Sequence, residues 1–502
     1  MRASSGAVKR RWREELAAAS AEESASSSDD ADADATAELA RWCREQRRMG
    51  RADAGAALQA SQRDPRRFLS TLGASDDGRA FLLSLVRRRQ RELAAAADAP
   101  RRAARAHAAL GSLHEHLGEL EPAISHVVAA ARLRGALPAA PDGAEDLDGE
   151  LRRALARHGG GELLGELARL LRQRHANAAL AALRAAPALP GELWALPRAP
   201  AGLSVADFFA DYSARRVPVV LTLPPGAGPA EAFTLAHLRR TIGDKRPALR
   251  RRDAESIEWA GLEPTTPQAQ TTVAEFIDTL DALAAEAEPP YLFDWSLPQH
   301  CADELLRGGF RVPRYFANDL LQRLEPGSLY RDAWPSLFVG PAGSRCSVHV
   351  DTFGSHFWML LFEGEKRWTI FPPDAAALLR PSYAHGHDPI FGADVHGAAA
   401  DDDELLRRAP RWEGVLKAGE CLFVPAGCPH AVANRTKTSA ISSNFVLPDN
   451  LELARQELRV AACACPEARR VAAQLDDPGF DAAADVGVGE VAWDAFKRKS
   501  RS

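Results

Sequence analysis

Two histidines and one aspartate have the residue types and the spacing of a metal site. His349 and Asp351 stand two residues apart in SVHVD, and His430 follows later in CPHAV. Residues i and i+2 of a β-strand point to the same face, so His349 and Asp351 can reach one point, where His430 can join them from a second strand. Two imidazoles and one carboxylate hold one face of an octahedral ion, a ligand set typical of non-haem iron(II) oxygenases. The sequence therefore predicts bound iron(II) with open positions for oxygen and an organic reductant.

The surroundings of the three residues favour this interpretation over a simpler one. In a chain with 14 histidines, His349 could be a core histidine, Asp351 a turn cap and His430 a strand-end residue. Burying such groups among apolar strands is costly without a strong partner, and a metal ion is one. Gly and Pro turns bound the runs that we interpret as strands. These runs are HFWMLLFE (356–363), RWTIF (367–371), ECLFVP (420–425) and AISSNFVL (440–447).

The motifs around these residues resemble the Jumonji-C oxygenases of the cupin superfamily. The resemblance rests on HVD, on KRW with Lys366 seventeen residues after His349, and on FVPAGCPH and SSNF. Together with upstream segments it covers about residues 200–447. It is strongest for the phosphatidylserine-receptor-type branch, which contains a lysyl hydroxylase and arginine demethylase.

The resemblance implies iron(II), 2-oxoglutarate as cosubstrate and O2. Lys366, which could otherwise be a solvated edge residue, would pair with the far carboxylate of 2-oxoglutarate. Ser442 stands where the family commonly has a threonine that binds the cosubstrate, and its hydroxyl could do the same. The implied iron ligands are His349, Asp351 and His430, and the implied cosubstrate contacts are Tyr291, Lys366, Ser442 and Asn444.

Two positions depart from the pattern of the family. Cys346 stands where relatives often have threonine, and Met359 stands where the closest branch has asparagine. Both replacements are softer and less polar, so the finer contacts of the cosubstrate or substrate should differ. Neither departure removes a metal ligand.

The implied fold is a mainly β catalytic domain, a double-stranded β-helix of the jelly-roll or cupin type, preceded by an α-helical N-terminal domain. Ala, Leu and Arg at helical spacing fill the region before the connector PALPGELWALPRAPAGLS. Residues 103–136 within it resemble one tetratricopeptide repeat, although a plain helical bundle fits as well. The predicted parts are a disordered acidic and Ser-rich tail (1–36), the helical domain (37–190), the oxygenase domain (191–450), and C-terminal helices with a basic tail (451–502).

Composition limits the cellular context and the partners. A net charge of −5 gives no global nucleic-acid footprint, so we do not expect nucleic acid as the partner. Seven cysteines without regular spacing indicate reduced thiols and an intracellular protein, and no apolar run is long enough for a membrane span. The stretch KRRWR near the start favours a nuclear over a cytoplasmic location.

The substrate prediction concerns the segment between the two halves of the metal site, residues 374–412, which we call the inserted segment. It carries the acidic run Asp401–Glu404. Either it lines the mouth of the barrel, where negative charge would attract a Lys- or Arg-rich protein substrate, or it is a solvated surface loop. We expect the reaction to be hydroxylation or demethylation of lysine or arginine side chains. The C-terminal helices could form the interface of a homodimer.

Three other functions stay open from the sequence. A tRNA hydroxylase of the same fold is disfavoured by the absence of a basic surplus. A metal-free cupin scaffold, acting through its helical domain, would not need the ligands or Lys366. A cupin isomerase, with His356 as an additional ligand, fits poorly because such sites favour three His and a Glu.

Overall fold

The computed structural model describes most of the chain from residue 76 onward. The predicted disordered tail, the KRRWR stretch and the start of the helical domain lie outside the described residues. The described ranges are 76–139, 146–158, 161–223, 233–253, 256, 258–265, 271–307, 309–397, 400–483 and 489–498.

Helices fill the N-terminal part and return at the C-terminal end. In the N-terminal part that the structure describes, the long helices are α1 (Asp76–Ala94), α2 (Pro100–His116), α3 (Leu120–Leu133), α4 (Leu147–His158) and α5 (Glu162–Ala185). Shorter helices among the strands are α6 (Val205–Phe208), α7 (Leu235–Thr241), α8 (Val273–Leu283), α9 (Leu297–His300), α10 (Leu329–Asp332) and α11 (Glu404–Arg408). The last three are α12 (Leu451–Ala461), α13 (Pro466–Leu475) and α14 (Trp493–Arg498).

The strands occupy the region between these helical parts. The first eight are β1 (Leu193–Ala195), β2 (Val219–Thr222), β3 (Arg250–Arg252), β4 (Leu262–Pro264), β5 (Leu292–Ser296), β6 (Arg311–Val312), β7 (Ser336–Gly340) and β8 (His356–Glu363). The others are β9 (Glu365–Ile370), β10 (Pro381–Ser382), β11 (Ile390–Phe391), β12 (Arg411–Lys417), β13 (Glu420–Val424), β14 (His430–Asn434), β15 (Thr438–Phe445) and β16 (Val491–Ala492). The four predicted strand runs are thus confirmed as β8, β9, β13 and β15.

Two facing sheets form the β-rich part of the chain. The larger sheet has the order β2-β13-β8-β15-β7-β5 and the smaller has the order β1-β12-β9-β14. Neighbouring strands are antiparallel, except that β1 runs parallel to β12. The chain passes from the larger to the smaller sheet at Gly364, whose φ of +83° suits the tight turn between β8 and β9. This is the predicted double-stranded β-helix.

The alternation of side chains separates an inner from an outer core. Phe357, Met359 and Leu361 of β8 join the cluster between the sheets, whereas Trp358 and Leu360 join the cluster behind the larger sheet. Because both faces of β8 are covered, its sequence is apolar throughout rather than alternating. The inner face is where the site residues are found.

Residues 103–136 of the helical domain form the segment that resembles a tetratricopeptide repeat. Helices α2 and α3 pack against each other there, and the small or apolar residues of the motif are buried. A Cβ on Gly111 would lie 2.8 Å from Val127 Cγ2, so the two helices need a residue without a side chain at this point. That a tetratricopeptide repeat is present stays a prediction. The buried motif residues are Leu110, Gly111, Ala123 and Ala130.

None of the described helices is both long and apolar enough to cross a membrane. The cysteines within the described ranges are buried, and none of these forms a disulfide.

Candidate metal and cosubstrate site

The three predicted ligands come together at one end of the barrel interior. One possible ligand atom from each of His349, Asp351 and His430 lies within 4.8 Å of the others, and all three residues are buried. Asp351 Oδ2 is 3.8 Å from His430 Nε2, and the two imidazole centroids are 4.4 Å apart. In the described part of the chain, no other group of three His, Cys, Asp or Glu residues has this geometry.

Backbone hydrogen bonds fix the relative position of the two histidines. His349 and His430 form an isolated antiparallel bridge, with N–H···O distances of 3.0 and 2.8 Å. His430 begins β14, as predicted. The segment around His349 and Asp351 is extended, but the expectation of a regular strand there is wrong. Its backbone instead turns into a 3-10 helix at Thr352–Gly354, directly after Asp351.

Each imidazole is oriented by a carbonyl two residues before it. His349 Nδ1 lies 2.9 Å from the carbonyl oxygen of Ser347, and His430 Nδ1 lies 3.0 Å from that of Cys428. Protonation of Nδ1 in these bonds leaves Nε2 with its lone pair available for a metal ion. This is the way in which metal-bound histidines are commonly held.

Trp259 is a neighbour of the ligands that the sequence did not predict. Its ring meets the His349 ring edge-on at 4.7 Å, and its indole N–H donates to the Val350 carbonyl at 3.0 Å. It lies in the turn between β3 and β4, far from the ligand motifs in sequence. The one feature of the sequence that could have drawn attention to Trp259 is its position in the loop sequence EWAGLEP, where a large aromatic residue is unexpected.

The predicted cosubstrate cation lies deeper in the barrel. Lys366 is fully buried on the inner face of β9, and its Nζ donates to Tyr291 Oη and to Asn434 Oδ1, both at 2.7 Å. Burial lowers the pKa of Lys366 from 10.5 to about 7. Within the described ranges Lys366 has hydrogen bonds to neutral oxygens and no ion pair with a carboxylate. A carboxylate from a ligand would supply the missing charge.

Asn434 was missed, although a simple signal was present. His430, Val432 and Asn434 alternate along β14, and such residues share one face of a strand. Asn434 pairs with Lys366 in the β14–β9 register, and His430 pairs with Ile370. The metal end and the Lys366 end are therefore four residues apart along the strands, or about 13 Å.

Ser442 and Asn444 lie on the inner face of β15. Ser442 is opposite Met359 and Ser336 in the sheet register, and Asn444 is opposite Phe357, whose ring centroid is 6.0 Å from that of His430. Asn444 donates to Ser355 Oγ at 2.9 Å. Their contacts with a cosubstrate stay predictions.

The two departures from the family pattern also face the interior. Cys346 and Met359 are almost fully buried in the inner cluster. Burial raises the pKa of the Cys346 thiol to about 11, so this thiol is neutral near pH 7. Both side chains make the pocket wall more apolar than threonine and asparagine would.

His356 does not belong to the site. It lies on the outer face of β8, where its Nδ1 accepts from the Ala426 N–H at 2.9 Å and its Nε2 lies 3.4 Å from Asp449. The idea of His356 as an additional ligand is therefore wrong.

The interior fits a small polar ligand. Trp368 and Ser336 are buried on the inner faces of β9 and β7, and neither Trp368 Nε1 nor Ser336 Oγ has a hydrogen-bond partner in the described part of the chain. Buried polar atoms of native proteins nearly always have partners, so two such atoms on inward-facing strand positions of one barrel indicate a ligand or water. Together with the uncompensated Lys366, they fit a dicarboxylate beside a metal ion.

The inserted segment matches neither of its two interpretations. Its apolar residues are buried against the outer side of the smaller sheet, behind the metal ligands, in a cluster that includes Phe391 and Leu406. Asp403 caps α11 and pairs with Arg380, whereas Asp402 and Glu404 are exposed. The segment is thus mainly a packed layer, and the side chain of Asp401 lies outside what the structure describes.

Comparison with known proteins agrees with this architecture. Residues 205–449 match the family described as cupin-like domain. This part of the chain is a cupin-like domain. The predicted cupin fold is confirmed.

The relatives of this domain include named oxygenases. The 2-oxoglutarate and iron-dependent oxygenase JMJD4 of Homo sapiens is 30% identical over 53% of this chain and 65% of its own length. The arginine-specific demethylase JMJ22 of Arabidopsis thaliana is 28% identical over 50% of this chain and 46% of its own length. The bifunctional arginine demethylase and lysyl-hydroxylase psr-1 of Caenorhabditis briggsae is 26% identical over 50% of this chain and 61% of its own length. The chain thus spans about half to two thirds of the length of these relatives.

Proposed function

We propose that this chain is an iron(II)- and 2-oxoglutarate-dependent dioxygenase that hydroxylates or demethylates lysine or arginine side chains of a protein. The observation that carries the proposal is the meeting of His349, Asp351 and His430 in the same barrel as the buried, uncompensated Lys366. When bound, the metal and cosubstrate use O2 to place one oxygen atom on a substrate C–H bond and the other in succinate, with release of CO2. The relatives named for iron and 2-oxoglutarate dependence support this class.

The residues of the chain bind and orient these groups. His349, Asp351 and His430 would hold iron(II), and Lys366 with Tyr291 would hold the far carboxylate of 2-oxoglutarate. The low exposure of the ligands, 2 to 7%, limits the access of water to the metal. Exclusion of water protects a reactive centre from side reactions.

The test of the function is product formation. The full chain with iron(II), 2-oxoglutarate and cell lysate should release succinate and modify peptides. Hydroxylation adds the mass of one oxygen atom, whereas demethylation removes a methyl group, which is released as formaldehyde. Both products should be lost with His349→Ala. Oxygen added to RNA instead of peptides would indicate the tRNA hydroxylase, and no succinate under any condition would indicate a scaffold.

The preference for Lys- or Arg-rich substrates is proposed from the names of two relatives, an arginine demethylase and an arginine demethylase that is also a lysyl hydroxylase. The acidic run adds nothing to it, because the inserted segment packs on the outer side of the smaller sheet. A nuclear location is proposed from the basic stretches KRRWR and FKRKSRS. Import assays with each stretch replaced by Ala and Ser would test it.

A homodimer through the C-terminal helices needs surfaces that their packing leaves free. Leu458, Val471 and Leu475 of α12 and α13 are buried within the chain's own core. A dimer would therefore use the charged outer faces of these helices, and light scattering at low and high salt tests this.

A further inference from the structure

Helix α5 binds the inserted segment through one polar face. Arg169 Nη1 donates to the Tyr383 carbonyl and Arg172 Nη1 to the His387 carbonyl, both at 2.8 Å. Gln173 Oε1 accepts from the Tyr383 N–H at 2.9 Å. Arg172 and Gln173 follow Arg169 by three and four residues, so all three side chains lie on one side of the helix. The N-terminal helical domain is thus bonded to the backbone of the inserted segment.

The inserted segment packs directly behind the metal ligands. Val348 and Val350 alternate with His349 and Asp351 in the extended chain, so their side chains point away from the ligand side. Val348 is 3% exposed in a cluster with apolar residues of the inserted segment, and Val350 packs against the same cluster. Leu183 of α5 also packs against it. The position of the ligand backbone therefore depends on this layer.

A second helix supports the backbone after Asp351. Asn450, which precedes α12, donates to the Gly354 carbonyl at 2.8 Å. Phe353 is 3% exposed in a cluster with apolar residues of α12. At Gly354 a Cβ would lie 2.7 Å from Leu453 Cγ, so helix and turn are in close contact. The ligand backbone thus lies between the inserted segment and α12.

Arg172 joins these two supports. While its Nη1 donates to His387 of the inserted segment, its Nη2 lies 2.9 Å from both carboxylate oxygens of Glu457 on α12. Asp394 and His396, further along the inserted segment, have other partners: Arg252 forms an ion pair with Asp394 at 2.6 Å, and Arg345 donates to the His396 carbonyl at 2.8 Å. Arg169 and Gln173 keep their bonds to Tyr383, so loss of Arg172 would remove the link between the inserted segment and α12 and leave these other contacts in place.

We propose that Arg172 is a positioning residue for the metal site. By fixing the inserted segment to α12, it holds residues 347–354 in the geometry that brings His349 and Asp351 to His430. The N-terminal helical domain is in this way part of the metal site rather than an independent module. The inference rests on the metal site of the proposed function, and its test needs neither substrate nor turnover.

The test measures Mn(II) affinity by electron paramagnetic resonance and hydrogen exchange of residues 347–354 and 381–391 in the full chain. Arg172→Gln should raise the Mn(II) Kd about fivefold and speed exchange in both segments. This is less than the roughly 10- to 100-fold effect of losing a direct partner of a metal ligand. Glu457→Gln, which leaves the bond to His387 in place, should give a smaller change.

Controls separate positioning from general stability. Arg184→Gln changes an exposed arginine in the last turn of the same helix and should leave Mn(II) binding unchanged. Should Arg172→Gln fail to fold, Gln173→Ala is the second variant. It loses the bond from the Tyr383 N–H, a weaker bond to the Pro381 carbonyl and an exposed bond to Asn177 of the same helix. Wild-type affinity and exchange in a folded Arg172→Gln would overturn the inference. If His349→Ala also kept the wild-type affinity, the metal site itself would be wrong.

Discussion

Lys366 and Asn434 face each other across the β9–β14 register, and the lysine amine donates to the asparagine carbonyl oxygen at 2.7 Å. We expect Asn434→Asp to place a competing carboxylate beside Lys366. The cosubstrate carboxylate would then have to displace an internal ion pair, and 2-oxoglutarate affinity should decrease at least about tenfold, or 1.4 kcal/mol. Calorimetric titration of the metal-loaded protein measures this, and the neutral Asn434→Ala should lose less. Equal affinities of Asn434→Asp and wild type would place the cosubstrate away from Lys366.

Binding of 2-oxoglutarate should be coupled to proton uptake. The pKa of Lys366 is lowered by burial to about 7, and a bound carboxylate would raise it again because it favours the charged amine. Below pH 7 the amine is already protonated, so binding takes up no proton there. Above pH 7 a proton must be acquired, and affinity should decrease as the pH rises. Titrations at pH 8 in two buffers of different ionisation enthalpy should show uptake in wild type but not in Lys366→Met.

Replacing Lys366 should weaken the cosubstrate strongly. Lys366→Ala leaves the bound carboxylate without a cation, which costs about 3–5 kcal/mol for a buried pair. Lys366→Arg should not restore binding fully, because a guanidinium is larger than an ammonium group and planar. The measurement is the 2-oxoglutarate concentration that gives half-maximal succinate release. An unchanged value in Lys366→Ala would contradict the pocket assignment.

Each metal ligand should be essential, and His356 should not be. His349→Ala, Asp351→Ala and His430→Ala should each abolish iron-dependent turnover, because three ligands are needed for the facial site. His356→Gln is the matched control, since this buried histidine bonds Ala426 and Asp449 outside the barrel. It should lower the melting temperature while keeping Mn(II) affinity. Loss of Mn(II) binding in a folded His356→Gln would contradict the separation of the two sites.

Gly340 should be necessary for the Lys366 pocket. A Cβ at this position would lie 2.7 Å from Tyr291 Cδ2 and 2.8 Å from Asn434 Nδ2. Gly340→Ala should therefore displace both partners of Lys366 and cost about 1–3 kcal/mol of stability. Thermal melting and cosubstrate titration test this together. Gly161→Ala is the control, because a Cβ at Gly161 would have open space around it and the residue has no positive φ. Gly419→Ala is unsuitable, because the φ of Gly419 is +85°.

The sequence predicted those site residues that follow the two-residue alternation of side chains along an extended chain. His349 and Asp351 were predicted because side chains alternate along an extended chain, and this held although the segment is not a regular strand. The same rule would have found Asn434, four residues after His430 on β14. Trp259 could not be found in this way, because its contact with His349 depends on how the β3–β4 turn folds onto the barrel. The inserted segment was misjudged for a related reason. Its apolar residues are too scattered to show a period, and their burial depends on Val348 and on α5, which are remote in sequence.

The backbone bridge between His349 and His430 has a consequence for the order of folding. The two residues are separated in the chain by the β8–β9 hairpin and by the whole inserted segment, so their pairing closes a long loop. Closing such a loop costs entropy that is recovered only when the non-local contacts form. We therefore expect the two imidazoles to meet late, after both sheets have been assembled, so that a partly folded chain would offer a metal ion no complete site. Iron would then enter a barrel that is already built, and the time course of its uptake would report the last step of assembly.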